Sequence, residues 1–218
     1  MLQNDPHRDQ PVLIEGAPIL GAQRALILLH GRGALAEDIL GLGRELGDAS
    51  TAFVAPEAAQ HTWYPNSFLA PLAQNEPWLG SAIAKVGACV ARCIAAGIPN
   101  DQIAIVGFSQ GACLATEFVA RNPSRYFAVI AFTGGLIGPP GMDLRHTGSL
   151  SGTPVLLSSG DPDPHVPWSR VQETDVALTE MGAIVHKLRY GNRSHTILPA
   201  EIDAARKLLR HESSPVAS

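Results

Sequence analysis

This chain has no long apolar run, no marked excess of either charge and no patterned set of cysteines. Each absence removes a class of protein. The longest purely aliphatic stretches, such as residues 25–29, are far too short to span a bilayer. The start of the chain, through Val12, is polar and lacks the apolar core of a secretory signal. No signal peptide, no stable membrane insertion and a cytoplasmic location are therefore expected. With 16 Lys and Arg against 20 Asp and Glu, the formal net charge is -4. That balance gives neither nucleic acid nor an anionic membrane an electrostatic reason to bind. The 3 cysteines are Cys89 and Cys93 in one helical stretch and Cys113 further on. An odd, unpatterned set suits a reduced enzyme better than a disulfide framework or a zinc site.

What is present is a globular composition, 45% hydrophobic against 17% charged over 218 residues. That suffices for one domain over 1–218, with 1–10 and 212–218 expected as flexible tails. Short apolar runs alternate with longer helical patterns, the mark of βαβ units and an α/β fold with a mostly parallel sheet. Strands are expected over 25–29, 52–55, 102–106, 127–132, 154–158 and 184–190. Helices are expected over 38–47, 78–96, 110–121, 169–181 and 198–211, on both faces of the sheet. Most of the strands read as near-continuous apolar runs, as strands covered on both faces do. The last alternates more, with His186 and Arg189 among apolar neighbours, and belongs nearer an edge. Two loops, 56–77 and 133–153, are unusually long. The first holds Trp63, Tyr64, Phe68 and Leu72, which reads as pocket wall more than spacer.

The central chemical signal is Gly107-Phe108-Ser109-Gln110-Gly111, set between an expected strand and an expected helix. A serine on such a sharp turn projects its hydroxyl away from the sheet. Glycines two before and two after it remove side chains that would collide there. The helix that follows also aims free N–H groups at the site, where they stabilise an anion. A serine hydroxyl is a weak nucleophile and needs a base, usually histidine, oriented by a carboxylate. In this kind of fold the order is Ser, then Asp or Glu, then His, each just past a strand end.

Two acids follow the strand at 154–158, Asp161 and Asp163. Pro162 and Pro164 stiffen the backbone around Asp163, as an orienting group needs, whereas Asp161 suits a turn cap. On residues alone Asp163 leads and Asp161 stays open. Only His195 both follows a late strand and precedes a helix, so it is the candidate base. Near the start, His30-Gly31-Arg32-Gly33 ends the first strong strand. Its glycines let the backbone turn an N–H inward, which assigns the oxyanion-hole donors to the backbone of Arg32 and Gln110. His30 itself reads as a buried hydrogen-bonding residue and not a second base. A phosphate-binding loop is the weaker reading, since no Lys-Ser or Lys-Thr pair follows and there is no Gly-x-Gly-x-x-Gly.

Taken together, Leu29-His30-Gly31-Arg32-Gly33, Gly107 to Gly111, Gly160-x-x-Asp163-x-x-Val166-Pro167 and the late His195 resemble the phospholipase/carboxylesterase family. That family includes bacterial carboxylesterases and acyl-protein thioesterases, and the similarity runs from about Leu26 to Leu209. The resemblance matches the second aspartate, Asp163. It implies a small α/β-hydrolase without a large cap domain, no metal or organic cofactor, and a small-molecule ester or thioester as substrate. A homodimer is compatible with the sequence. Two departures concern substrate: Arg32-Gly33-Ala34 stands where thioesterase-like members have Leu-Gly-Asp, and Trp63-Tyr64-Pro65 where they have Trp-Phe-Asp. The expected activity is that of a serine carboxylesterase for small to medium acyl esters, with an acyl pocket drawn from Trp63, Tyr64, Phe68, Leu72, Leu136 and Trp168. The alternatives are a thioesterase or lysophospholipase for long acyl chains and, more remotely, a non-catalytic ligand receptor on the same fold.

Overall fold

The computed structural model describes residues 5–210. Seven strands form one sheet in the order β1-β3-β2-β4-β5-β6-β7. They are β1 (Val12–Gly16), β2 (Arg24–Leu29), β3 (Thr51–Pro56), β4 (Ile103–Phe108), β5 (Ala128–Phe132), β6 (Pro154–Asp161) and β7 (Ile184–Gly191). Only β1 runs antiparallel, against β3. Among the described residues five α-helices cover the faces: α1 (Ala36–Leu46), α2 (Trp78–Ala95), α3 (Gln110–Arg121), α4 (Trp168–Glu180) and α5 (Pro199–Leu209). Each expected strand and helix is present, with ends moved by a few residues. β1 is the addition. Its side chains are half-buried or exposed, and an edge strand of that kind has no continuous apolar run to announce it. β7 lies at the other edge, as its alternation implies.

Period-two alternation divides the core into two layers. Ala25, Ile27 and Leu29 of β2 pack on one side with Leu79 and Val86 of α2, Leu114 of α3 and Leu178 of α4. Leu26 and Leu28 face the other side with Ile39 and Leu40 of α1 and Leu209 of α5. α3 is the most enclosed helix, buried from Gln110 to Ala120. By length and composition alone α2 could cross a membrane, at a mean hydropathy of 1.4. Its Leu79, Ala82 and Val86 nevertheless belong to the core.

The N-terminal segment departs from the expectation of a flexible tail. Residues 5–10 lie against α2, and the rest of the expected tails, 1–4 and 212–218, fall outside the described residues. His7 is fully buried, and its backbone N–H donates to Ser81 Oγ at 2.9 Å. Lys85 Nζ donates to the carbonyl of Arg8 at 3.2 Å. The segment is held because buried polar groups of α2 need partners, and the chain's own start supplies them.

His7 and His30 together shape the turn that begins the first long loop. The Ala59 N–H donates to His7 Nδ1 at 3.0 Å, so the ring's proton is on Nε2, which donates to the Trp63 carbonyl at 3.0 Å. The Ala58 N–H donates to His30 Nε2 at 3.1 Å, which leaves Nδ1–H to donate to the Gly31 carbonyl at 2.8 Å. Between them Gln60 and His61 adopt left-handed φ values of 50° and 55°. Such backbone persists only when its surroundings over-determine it. Burial lowers both His7 and His30 below the ordinary 6.5, more than their backbone bonds raise them.

Both rings are thus neutral in the fold, while the unfolded chain protonates near 6.5. The unfolded state binds more protons as pH falls, so this stability is complete above about pH 6.5 and is lost below it. The thermal midpoint is expected to fall between about pH 7.5 and about pH 5.5, and the slope to be shallower in His7→Asn. A flat midpoint over that interval would mean the rings are not held neutral.

Candidate active site

The candidate residues converge at the carboxyl ends of β2, β4, β6 and β7. Ser109 follows β4 and precedes α3, with φ 54° and ψ −118°. Its glycine neighbours explain how the turn closes. A Cβ on Gly107 would lie 2.2 Å from the Gly111 carbonyl oxygen, and one on Gly111 would lie 2.1 Å from the Leu29 carbonyl oxygen. Neither position admits any side chain. The Ser109 N–H donates to the Phe132 carbonyl at 2.9 Å, which pins the turn to the end of β5.

Ser109 Oγ lies 2.8 Å from His195 Nε2, and His195 Nδ1 lies 2.9 Å from Asp163 Oδ2. Asp163 Oδ1 also accepts the N–H groups of His165 at 2.9 Å and Val166 at 3.0 Å. The Asp163 side chain is fully buried. Burial pushes its pKa up, but the bonds from His195 and the two amides outweigh that and hold it below the ordinary 3.8. Asp161 turns elsewhere, pairing with the Arg189 guanidinium. Between the two aspartates the geometry brings only Asp163 to His195. The imidazole is flanked by Phe108 at 5.2 Å and by His165, edge-on, at 4.8 Å between ring centres.

The backbone of the expected oxyanion loop turns at Gly33. Gly33 takes φ 78°, and its N–H donates to the His61 carbonyl at 2.7 Å. Gln110 opens α3, so its N–H is among those a helix leaves without an internal partner. The Arg32 side chain reaches across to the pocket wall, donating to the carbonyls of Pro65 at 2.9 Å and Asn66 at 2.7 Å. The Gln110 side chain does the same from the other side. Its Oε1 accepts the Trp63 N–H at 2.9 Å and its Nε2 donates to the Tyr64 carbonyl at 2.8 Å.

A cavity of about 440 Å³ opens on Ser109 and His195. Tyr64, Phe68, Cys113 and Val166 give it an apolar side, with Arg32 and His165 at its rim. Of the six expected wall residues, Tyr64 and Phe68 line it; Trp63, Leu72, Leu136 and Trp168 do not. Trp63 is a fully buried core residue whose indole N–H donates to the His30 carbonyl at 2.9 Å. Leu136 is also fully buried, its N–H donating to Thr174 Oγ1 at 2.9 Å. Leu72 packs on the core from a short turn, and Trp168 lies under the Arg189 guanidinium, 5.4 Å away. His165, Val166 and Cys113 were not foreseen as lining residues. The closeness of His165 to Asp163 in sequence was the one available signal. Burial pushes the Cys113 thiol up to about 12, so it stays protonated and offers no rival nucleophile. Among the described residues, no cluster of His, Cys, Asp and Glu could hold a metal ion.

Comparison with known proteins identifies the family. A model of the phospholipase/carboxylesterase family matches residues 14–213. No curated protein matches the chain. Among solved structures it is similar to a phospholipase/carboxylesterase from Dyadobacter fermentans, at 45% identity and a TM-score of 0.89. That match covers 93% of this chain and 97% of the other. It is also similar to esterase PE8, at 28% identity and TM-score 0.73 over 94% of this chain and 98% of that one. Acyl-protein thioesterase 2 from Zea mays shares the fold at 19% identity and TM-score 0.73, over 93% of this chain and 99% of that one. The chain belongs to the phospholipase/carboxylesterase family of α/β-hydrolases.

Proposed function

We propose that this hydrolase is a serine carboxylesterase acting on small to medium acyl esters, with Ser109 as nucleophile, His195 as base and Asp163 as its orienting acid. The observation that carries the reading is the continuous relay from Asp163 through His195 to Ser109, at 2.9 Å and 2.8 Å, opening on the 440 Å³ cavity. Ser109 Oγ attacks the ester carbonyl while His195 Nε2 takes its proton. The carbonyl oxygen becomes an anion facing the backbone N–H groups of Arg32 and Gln110, each such donor being worth about 2.7–4 kcal/mol. His195 then gives the proton to the departing alcohol, leaving an acyl group on Ser109. Water, deprotonated by His195, attacks that acyl group, and the acid leaves as Ser109 recovers its proton. The ionised Asp163 holds Nδ1–H and stabilises the imidazolium formed in each half-reaction.

Cavity volume and the burial of Phe68 and Cys113 at its apolar end favour acyl groups of limited length over long chains. The loop that carries Phe68 is also firmly braced. Asn75 is fully buried and holds the two residues just before Phe68, accepting the Asn66 N–H at 2.9 Å and donating to the Ser67 carbonyl at 3.0 Å. A receptor without turnover would have no use for the complete relay.

Turnover of p-nitrophenyl esters tests the reading. Butyrate is expected to be cleaved with a higher kcat/KM than palmitate, and the reverse order would favour the long-chain alternative. Ser109→Ala is expected to fold and to lose about 10⁶-fold in kcat. Retention of wild-type turnover by that variant would remove Ser109 from the mechanism.

The two aspartates are separated in the same assay. Asp163→Asn is expected to lose about 10⁴-fold in kcat, because the wrong imidazole tautomer is favoured. Asp161→Asn loses only its pairing with an exposed arginine, worth about 0–1 kcal/mol, and is expected to cost no more than about tenfold. A larger loss from Asp161→Asn than from Asp163→Asn would reassign the orienting acid.

A further inference from the structure

Behind His195 lies a buried ion pair that takes no direct part in the relay. The side chains of Arg193 and Glu201 are 1% and 0% exposed, with Nη2 3.5 Å from Oε1. Charges this far from water are costly unless their other donors and acceptors are used, and here all but the Arg193 Nε–H have partners. Arg193 Nη2 donates to Thr133 Oγ1 at 2.7 Å. Its Nη1 donates to the carbonyls of Ser194, at 3.3 Å, and Thr196. Glu201 accepts the Leu198 N–H on Oε2 at 2.8 Å and the Ser158 hydroxyl on Oε1.

These partners belong to the separate segments that carry the relay. Thr133 follows β5, whose terminal Phe132 carbonyl holds the Ser109 N–H. Ser158 is in β6, which leads to Asp163. Ser194 and Thr196 flank His195 itself. Apart from Ile197, which packs on the core, and the bonds His195 itself makes to Asp163 and Ser109, the loop between β7 and α5 has little else to hold it. Of residues 191–196 only Arg193 is buried, and the Thr196 N–H merely closes back on the Ser194 carbonyl at 2.8 Å. Without an inward anchor, a loop this exposed would let the imidazole wander on a scale that matters to proton transfer.

We propose that Arg193 and Glu201 form a positioning pair for His195, fixing its loop to Thr133 after β5 and Ser158 within β6 so that the imidazole bridges Ser109 and Asp163. The inference rests on the assignment of His195 as base, and it assigns no chemical step to the pair. Arginine suits the position because its planar fork binds two carbonyls on one side and a hydroxyl and a carboxylate on the other. Lysine, a point charge on a flexible stem, would keep the pairing with Glu201 and lose the fork.

The test combines kinetics on p-nitrophenyl acetate with proton NMR of the whole chain. A far-downfield resonance from the His195 Nδ1–H bonded to Asp163 is expected in the wild type. Folded Arg193→Met is expected to lose that resonance and about 100-fold in kcat, the loss associated with a misplacement of about 1 Å. KM is expected to stay within about twofold, since no substrate contact is removed. Arg193→Lys is expected to recover part of kcat and of the resonance. Should Arg193→Met fail to fold, the isosteric Thr133→Val carries the test, with a several-fold loss of kcat and a broadened resonance. A wild-type kcat in either variant, or a loss of kcat with the resonance intact, would overturn the inference. If the wild type cleaved no ester, the esterase reading would fall, while the resonance in wild type and Arg193→Met would still decide for or against the positioning pair.

Discussion

The turn at Ser109 is the constraint on which the rest of the site depends. A serine at φ 54° and ψ −118° occupies backbone that L-residues rarely adopt, typically at a cost of about 1–3 kcal/mol. The strain is sustained because Gly107 meets Gly111, and Gly111 meets Leu29, at distances that exclude a Cβ. It is sustained also because α3 behind the turn is buried along nearly its whole length. β4 and α3 therefore meet at an angle that lifts the Ser109 hydroxyl above the sheet edge. Everything else in the site is arranged to meet that one atom.

The arrangement uses two kinds of support. Around the oxyanion loop the backbone is held by neutral groups: His7, His30 and the Gln110 amide satisfy residues 58–64, and the Arg32 guanidinium at the rim is turned onto the Pro65 and Asn66 carbonyls. A neutral, hydrogen-bonded wall avoids the desolvation penalty of buried ions and leaves the developing oxyanion to the backbone N–H groups. Around the imidazole the support is ionic. Asp163, buried yet held in its charged form by His195 and two amides, faces one ring nitrogen, and the Arg193–Glu201 pair lies beneath the loop. Charge thus accumulates where an imidazolium would form.

Much of this was legible in the sequence, for identifiable reasons. Buried parallel strands are near-continuous apolar runs, so β2 to β6 announced themselves, and chain order pointed to Ser109 and His195 before any geometry. The choice of Asp163 over Asp161 rested on proline stiffness and family resemblance, and the carboxylate's direction needed coordinates. The pocket was less readable. Trp63 and Leu136 have the composition of a pocket wall, but whether an aromatic or aliphatic loop residue faces a cavity or the core depends on long-range packing that periodicity does not encode. For the same reason the polar segment at 5–10 read as a tail, although His7 and the carbonyl of Arg8 have buried partners in and beside α2. Arg193 and Glu201 carry no signal of their role in the sequence, because charge usually lies outside and its burial is decided by partners distant in sequence.

The central claim is that an acyl group passes through Ser109, and its most direct test is to trap that intermediate. Wild-type protein mixed with p-nitrophenyl butyrate and quenched in acid during turnover is expected to gain the mass of one butyryl group. Peptide mapping is expected to find that group on Ser109, with none on Ser109→Ala. Ester cleavage without any acylated enzyme, or a butyryl group on another residue, would contradict the account.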